Sequence, residues 1–421
     1  MSYKIFKFGG ASVKDGAGVC NLQAILNCYS KEELIVVISA IGKTTNLLEE
    51  ILYAYYYRTG RLPELLQTLK ENHYAIAREL PVQNTQIIAK LNTVFSQLEA
   101  RLEVEPSDNY DFDYDQIVSF GELLSTKLIS TYLNTAGMYN QWLDARNVIR
   151  TDNNFREGRV NWEISAAHIR QQCEVLHATE CRLIITQGFI GSTIEKLTTT
   201  LGREGSDYTA AIFAYSIDAK SVTIWKDVPG LLNADPKFFP DAVKLDRIAY
   251  EEAIELSYYG ASIIHPKTLK PLQNKAIPLY VKSFFQPEES GSLITATDTK
   301  NNIPSIIFKA NQILISLFPK DFSFIDVEGL SHIFAALSQY KIKINLLQNS
   351  ALSFSICTDY DKKRVEAVIG FLTRNYKVKY NDHVSLITIR HYNDDVAGRV
   401  LGSKQILIEQ RSRTMLQVVT Q

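Results

Sequence analysis

The segment Lys7-Phe-Gly-Gly-Ala-Ser12-Val sets a lysine two residues before paired glycines. Such glycines let backbone amides approach an anion, and the lysine adds a point charge, so a phosphate cradle is one reading. An ordinary strand-to-helix turn is the other. A second segment, Ser39-Ala-Ile-Gly42-Lys43-Thr44-Thr45, resembles a P-loop end, but Val37 stands where the first glycine is required. It is no Walker motif, yet it carries hydroxyl groups to the carboxyl edge of a strand, where open α/β sheets take ligands. In a third segment, Ile185-Thr-Gln-Gly188-Phe-Ile-Gly191 precedes Thr198-Thr-Thr-Leu-Gly202-Arg203-Glu-Gly205-Ser206-Asp207. This reads as a strand, a Gly/Thr-rich loop and a helix start, whose free amides and dipole favour an anion. A simple cap at Ser206 or Asp207 is the alternative.

Positioning these groups requires a sheet. Short β-rich apolar runs at residues 5–8, 34–38, 183–186, 221–224 and 277–281 alternate with longer helical stretches, the rhythm of a largely parallel α/β sheet covered by helices. Residues 46–101 carry apolar positions at helical spacing and read as a helical subregion. Asp108, Asp111, Asp113 and Asp115 fall in a polar interval, 107–116, that lacks the glycine and terminal glutamate of an EF-hand; a solvated loop is expected. A polar, proline-bearing stretch at 295–305 marks the linker between a catalytic part (1–294) and a C-terminal region (306–421). In the latter, a strand at 313–317, a helix at 329–340, strands at 342–347 and 353–357 and a helix at 362–374 follow the βαββαβ rhythm of a ferredoxin-like module. Residues 377–421 supply further strands at 384–390, 405–408 and 415–419, a second module that reads as shortened, suited to dimerisation more than to sensing.

At 421 residues the chain exceeds one typical core, and its 46% hydrophobic and 22% charged residues are ordinary globular values. A formal net charge of −1 argues against a nucleic-acid or polybasic membrane surface, so small molecules and copies of the chain itself are the expected partners. Five scattered cysteines indicate neither a disulfide framework nor a zinc site, and no leader or spanning segment is read, so a cytoplasmic setting is expected.

Six segments in order, Lys7 to Val13, Ser119-Phe-Gly-Glu122, Thr186 to Gly191, Thr198 to Asp207, Asp227-Val-Pro-Gly230 with Asp235-Pro236, and Gly260-Ala-Ser-Ile-Ile-His265-Pro266, resemble the signature series of monofunctional aspartate kinases. The resemblance implies an amino-acid-kinase fold, a mainly parallel sheet sandwiched by helices, followed by ACT modules. It also implies transfer of the γ-phosphate of ATP, with Mg2+, to the β-carboxylate of L-aspartate, the first step toward lysine, threonine and methionine. By the same resemblance Lys7 and Asp207 are catalytic, Asp207 orienting the lysine or helping the metal. Thr45, Glu122, Arg203, Ser39 and Ser206 contact aspartate. Lys7, Phe8, Gly9, Gly10, Ser12, Lys226, Asp227, Leu232, Lys237 and Ser262 hold the nucleotide. Glu204 replaces a usual glycine, Lys226 a usual hydroxyl residue or tyrosine, and Ser262 a usual lysine, with Lys226 or Lys237 as the compensating cation.

An acceptor that is already a carboxylate needs no general base, so the missing catalytic histidine is no objection. His265, before a proline, reads as a helix-start residue. In the ACT region, paired modules imply a homodimer or higher oligomer. Asn345, Asn349 and Ser350 are the effector candidates, with Asn345, Asn349 and Ala351 standing where lysine-inhibited relatives carry acidic or hydroxyl ligands. Two rivals remain open on sequence: a kinase of the same fold with another acceptor, and an amino-acid sensor of weak activity. A fused homoserine dehydrogenase is not expected.

Overall fold

The computed structural model describes residues 2–261, 264–296, 303–321 and 323–421. Ser262 and residues 297–302 of the 295–305 linker lie outside the described residues. The chain divides into two compact units, one of residues 1–231, 244–254 and 264–299, the other of 232–243, 255–263 and 300–421.

The strands of the first unit are β1 (Lys4–Phe8), β2 (Leu34–Ile38), β3 (Gln141–Leu143), β4 (Leu183–Gln187), β5 (Ile190–Ser192), β6 (Thr198–Thr200) and β7 (Ser221–Lys226), followed by strands at Arg247–Ala249, Leu279–Ser283 and Ser292–Thr295. Its helices are α1 (Gly16–Cys28), α2 (Thr44–Tyr56), α3 (Leu62–Glu79), α4 (Thr85–Glu103), α5 (Tyr110–Val118), α6 (Phe120–Thr135), α7 (Ala145–Val148), α8 (Trp162–His177) and α9 (Gly205–Ser216), followed by a helix at Pro266–Asn274. The eight-stranded sheet runs Arg247–Ala249, Ser292–Thr295, Leu279–Ser283, β7, β1, β2, β4, β3. From Leu279–Ser283 to β3 every neighbouring pair is parallel, and Ser292–Thr295 turns back antiparallel.

The central strands are continuous apolar runs because helices bury both faces. Strand β2 has no exposed residue. In β1 the two-residue period decides which side chain faces where. Phe6 and Phe8 pack with Trp225, ring centroids 5.5 and 5.9 Å away, which leaves Lys7 between them for the opposite face. The loops after β1, β2, β4 and β7 all open at one edge of the sheet, since parallel strands put their carboxyl ends together.

Residues 46–101 are helical through α2, α3 and α4. His73 on α3 is fully enclosed, its Nδ1 paired with the Leu69 carbonyl at 2.8 Å and its ring edge-on to Phe95 of α4. Burial drops its pKa to about 4.

The expected solvated loop at 107–116 is a correction. Asp111, Asp113 and Asp115 lie on α5, which is capped by the Asn109 side chain accepting from the Asp111 and Phe112 amides. Asp113 and Asp115 are fully buried. Asp113 pairs with Arg101 and accepts from the Ser107 amide and hydroxyl at 2.8 and 2.9 Å. Asp108 and Asp111 remain exposed, and the two inward-facing carboxylates of this helix, Asp113 and Asp115, find partners.

In the second unit a six-stranded antiparallel sheet runs Ile344–Asn349, Phe354–Asp359, Ser305–Pro319, Tyr376–Arg390, Met415–Thr420, Ile406–Arg411. Helices Val327–Gln339 and Lys362–Leu372 cover a core of Ile315, Leu317, Ile333 and Phe354, and Asp394–Leu401 packs with Ile387, Ile389 and Leu416. What reads in sequence as two modules, the second short, shares one sheet. Its outer strands meet: Gln410 Nε2 donates to the Leu347 carbonyl, and Leu346 and Ile408 share an apolar cluster.

Candidate active site

Three loops at the carboxyl edge lock together. The Gly42 amide donates to the Gly10 carbonyl at 3.0 Å, the Ser39 amide to Phe8 at 3.2 Å, and the Gly188 amide to Ile38 at 2.9 Å. A Cβ on Gly10 would overlap the Ala40 carbonyl, and one on Gly188 would overlap Ser206. Glycine is required at both positions by close approach, and the bare amide surface that results suits a phosphate. Gly9 sits beside the Lys7 ammonium, since a Cβ there would stand 3.5 Å from Nζ. Ser12 is buried behind this turn, its amide donating to Gly9.

Lys7 Nζ lies 2.7 Å from Asp207 Oδ1, the lysine side chain 12% and the aspartate 5% exposed. A buried pair of this kind is costly to break, because removing one partner strands the other charge. Asp207 and Ser206 sit in the first turn of α9 and neither caps it. The cap position is Glu204, which makes no side-chain cap bond. Glu204 adopts φ +54°, the left-handed region. That geometry costs a residue with a Cβ roughly 1 kcal/mol. Its carboxylate instead accepts the His265 amide at 2.8 Å, ahead of the helix Pro266–Asn274, which His265 caps through its Nδ1.

Glu122, in the first turn of α6, is 3% exposed. Its Oε1 accepts the Ala40 amide at 3.1 Å, and its Oε2 has no partner among the described residues. Burial raises its pKa to about 8, against the opposing pull of the Ala40 amide and the Lys7 charge. An unpartnered carboxylate beside a lysine-bearing glycine loop is a site waiting for a cation. Gln187, at the end of β4, supports it: its Nε2 donates to Thr126 Oγ1 at 2.9 Å and its Oε1 accepts the Ala145 amide at 2.8 Å. Thr126 Oγ1 in turn donates to the Glu122 carbonyl at 2.7 Å.

Thr45 is half-buried in the first turn of α2, which packs beside the start of α6 where Gly121 meets Thr44 and Leu48. Ser39 is half-buried at the end of β2. Arg203 is exposed and forms no ion pair with any described residue. It follows β6, whose Thr200 is tied to Asp115: Thr200 N–H and Oγ1–H donate to that carboxylate at 2.9 and 2.7 Å, and the Arg156 amide donates at 3.0 Å. Burial still lifts Asp115 to about 6 despite these donors. No role was assigned from sequence to Ala40, Gln187 or Asp115, although Ala40 and Gln187 fall within segments singled out there and Asp115 is one of four spaced aspartates.

The nucleotide candidates are less gathered. Lys226 ends β7 and the exposed Asp227 follows it in the first unit, whereas Leu232 and Lys237 belong to the second. Ser262 is outside the described residues. Among the described residues no three His, Cys, Asp or Glu side chains cluster to hold a metal. The effector candidates Asn345, Asn349 and Ser350 all lie in the second unit. There the Asn345 amide is spent on its own chain, Oδ1 accepting from Lys309 at 3.0 Å and Nδ2 donating to Gln312 at 2.7 Å and Asp359 at 2.9 Å.

Residues 2–283 match the family described as the amino acid kinase family. Lysine-sensitive aspartokinase 3 of Escherichia coli is 33% identical over 357 residues, 84% of this chain and 78% of that protein. The aspartokinase of Chlamydia pneumoniae is 31% identical over 397 residues, 92% of this chain and 86% of its own length. The crystal structure of E. coli aspartokinase III with aspartate and ADP superposes with a TM-score of 0.82 at 28% identity, over 100% of this chain and 96% of that one. The chain therefore belongs to the amino acid kinase family and, within it, to the aspartokinases.

Proposed function

We propose that this chain transfers the γ-phosphoryl group of ATP to the β-carboxylate of L-aspartate, giving 4-phospho-L-aspartate. The observation that carries the reading is the juxtaposition of the Lys7–Asp207 pair with unpartnered Glu122 over the glycine loops of β1 and β2. Lys7 neutralises charge on the transferring group, with Gly9 and Gly10 amides on the phosphates and Asp207 fixing the lysine. Glu122 takes the aspartate ammonium, Arg203 grips the α-carboxylate with its fork, and Thr45, Ser39 and Ser206 offer hydroxyls. The acceptor arrives ionised, so no proton moves in the transfer and catalysis rests on positioning. Phe8, Ser12, Lys226 and Asp227 serve the nucleotide from the first unit.

Magnesium would arrive with the nucleotide and neutralise phosphate charge, and Asp207 is the carboxylate at the glycine loops that would hold it. The aspartate bound by the E. coli relative favours this acceptor over another. No described helix is long and apolar enough to cross a membrane. A cytoplasmic setting and self-association through the second unit, where Phe324 and Val327 are exposed, complete the reading. Trapping aspartyl phosphate as its hydroxamate tests it: product with L-aspartate and none with L-glutamate is expected, and product with neither would overturn it.

A further inference from the structure

Away from the glycine loops, the first unit has a cleft of about 270 Å³ walled by α4, α6 and the β3–α7 connection. Its lining carries three cations, Lys90, Lys127 and Arg146, and one anion, Asp144. Asp144 is already committed. Arg146 Nε lies 3.0 Å from its Oδ1 and Nη2 lies 2.7 Å from its Oδ2, and the Arg146 amide caps onto it as well. Neither Lys90 nor Lys127 has an ion pair among the described residues.

Lys127 is half-buried, its ammonium 3.2 Å from the centre of the Trp142 ring. Burial, and then the like charge of Lys90, lower its pKa against the opposing pull of Asp144. A cation held out of water beside a second cation, with an aromatic face as its partner, is in a poor electrostatic environment that a bound anion would relieve. The remaining wall is Leu123, Val94 and the Trp142 ring, with Thr93 and Gln97 as neutral polar groups.

We propose that this cleft binds a small organic dianion, two negative charges on a short apolar stem, with Lys90 and Lys127 as its ligands and Trp142 as its floor. Two net positive charges and this volume match a dicarboxylate or a phosphate monoester. The floor is wired to the glycine-loop site, since Trp142 Nε1 donates to Thr126 Oγ1 at 3.0 Å, the same hydroxyl that Gln187 holds and that bonds the Glu122 carbonyl.

The test titrates the full chain with succinate and, separately, glycerol 3-phosphate at constant ionic strength, following tryptophan fluorescence. Of the three tryptophans, Trp142 is the reporter, so Trp142→Phe should silence the signal. A saturable change with either probe is expected, and the probe that saturates at lower concentration identifies the stem chemistry. Lys90→Met and Lys127→Met should each weaken it about tenfold, the loss of one charge-assisted contact. Lys90 is exposed on α4, so its variant keeps the test valid if Lys127→Met does not fold. Lys7→Ala should leave the titration unchanged. A linear response to both probes, a response kept in Lys90→Met, or one lost in Lys7→Ala would each overturn the proposal.

Discussion

Glu122 carries the sharpest consequence at the scale of single residues. With a pKa near 8 it is mostly protonated at neutral pH, and an arriving ammonium ion favours its charged form. Aspartate binding near pH 7 is therefore expected to release a proton, seen as a calorimetric enthalpy that varies with buffer ionisation heat, and KM for aspartate should fall as pH rises toward 8. Glu122→Gln should abolish the proton release and raise that KM about a hundredfold, the loss of a buried charged contact. The stability sign is opposite. A carboxyl whose folded pKa is raised favours the fold fully below its ordinary value and loses that contribution as pH rises through about 8, so Glu122→Gln should flatten this slope in the ligand-free protein. Lys7→Ala should cut kcat about a thousandfold. It also strands buried Asp207, so adding Asp207→Asn should restore the unfolding temperature without restoring turnover.

Two helices give predictions of their own. On α5, Asp115 holds Thr200 and the Arg156 amide, and so fixes the segment leading to Arg203. Asp115→Asn puts an amide donor against donors; KM for aspartate should rise more than kcat falls, and Asp115→Glu should recover neither. On α3, His73 is neutral at about pH 4 and above, whereas the unfolded chain protonates near 6.5. Its folded pKa is depressed, so its contribution is present above pH 6.5 and lost as pH falls toward 4. His73→Leu should reduce acid destabilisation over that window in thermal melts. Five of the eight strands of the first unit's sheet were legible from their apolar runs within a residue or two, because a doubly covered parallel strand has no polar face; β3, Arg247–Ala249 and Ser292–Thr295, of three or four residues each, were not. Helix α5 was not, because its burial depends on Arg101, Arg156 and Thr200, none of them local.

For the molecule as a whole, the second unit shows where ligand and fold compete for the same groups. An effector role at Asn345 must displace bonds to Lys309, Gln312 and Asp359. Asn345→Ala is expected to destabilise that unit by about 1–2 kcal/mol in denaturant melts, whatever its effect on amino-acid response. An unchanged midpoint would return Asn345 to a purely ligand-binding role.

The amino-acid sequence by itself determined the ordered glycine, lysine and acidic motifs, the α/β rhythm and the ferredoxin-like tail, because each is a pattern within a few residues. Tertiary structure alone decided that Glu122 is buried without a second partner, that Ala40 and Gln187 hold its helix, and that Asp113 and Asp115 face inward. It also joined the two apparent ACT modules in one sheet and brought Lys90, Lys127 and Trp142 around one cleft. Those properties are sums over residues far apart in the chain, and a pKa or an unpaired charge exists only once distant groups have excluded water from it.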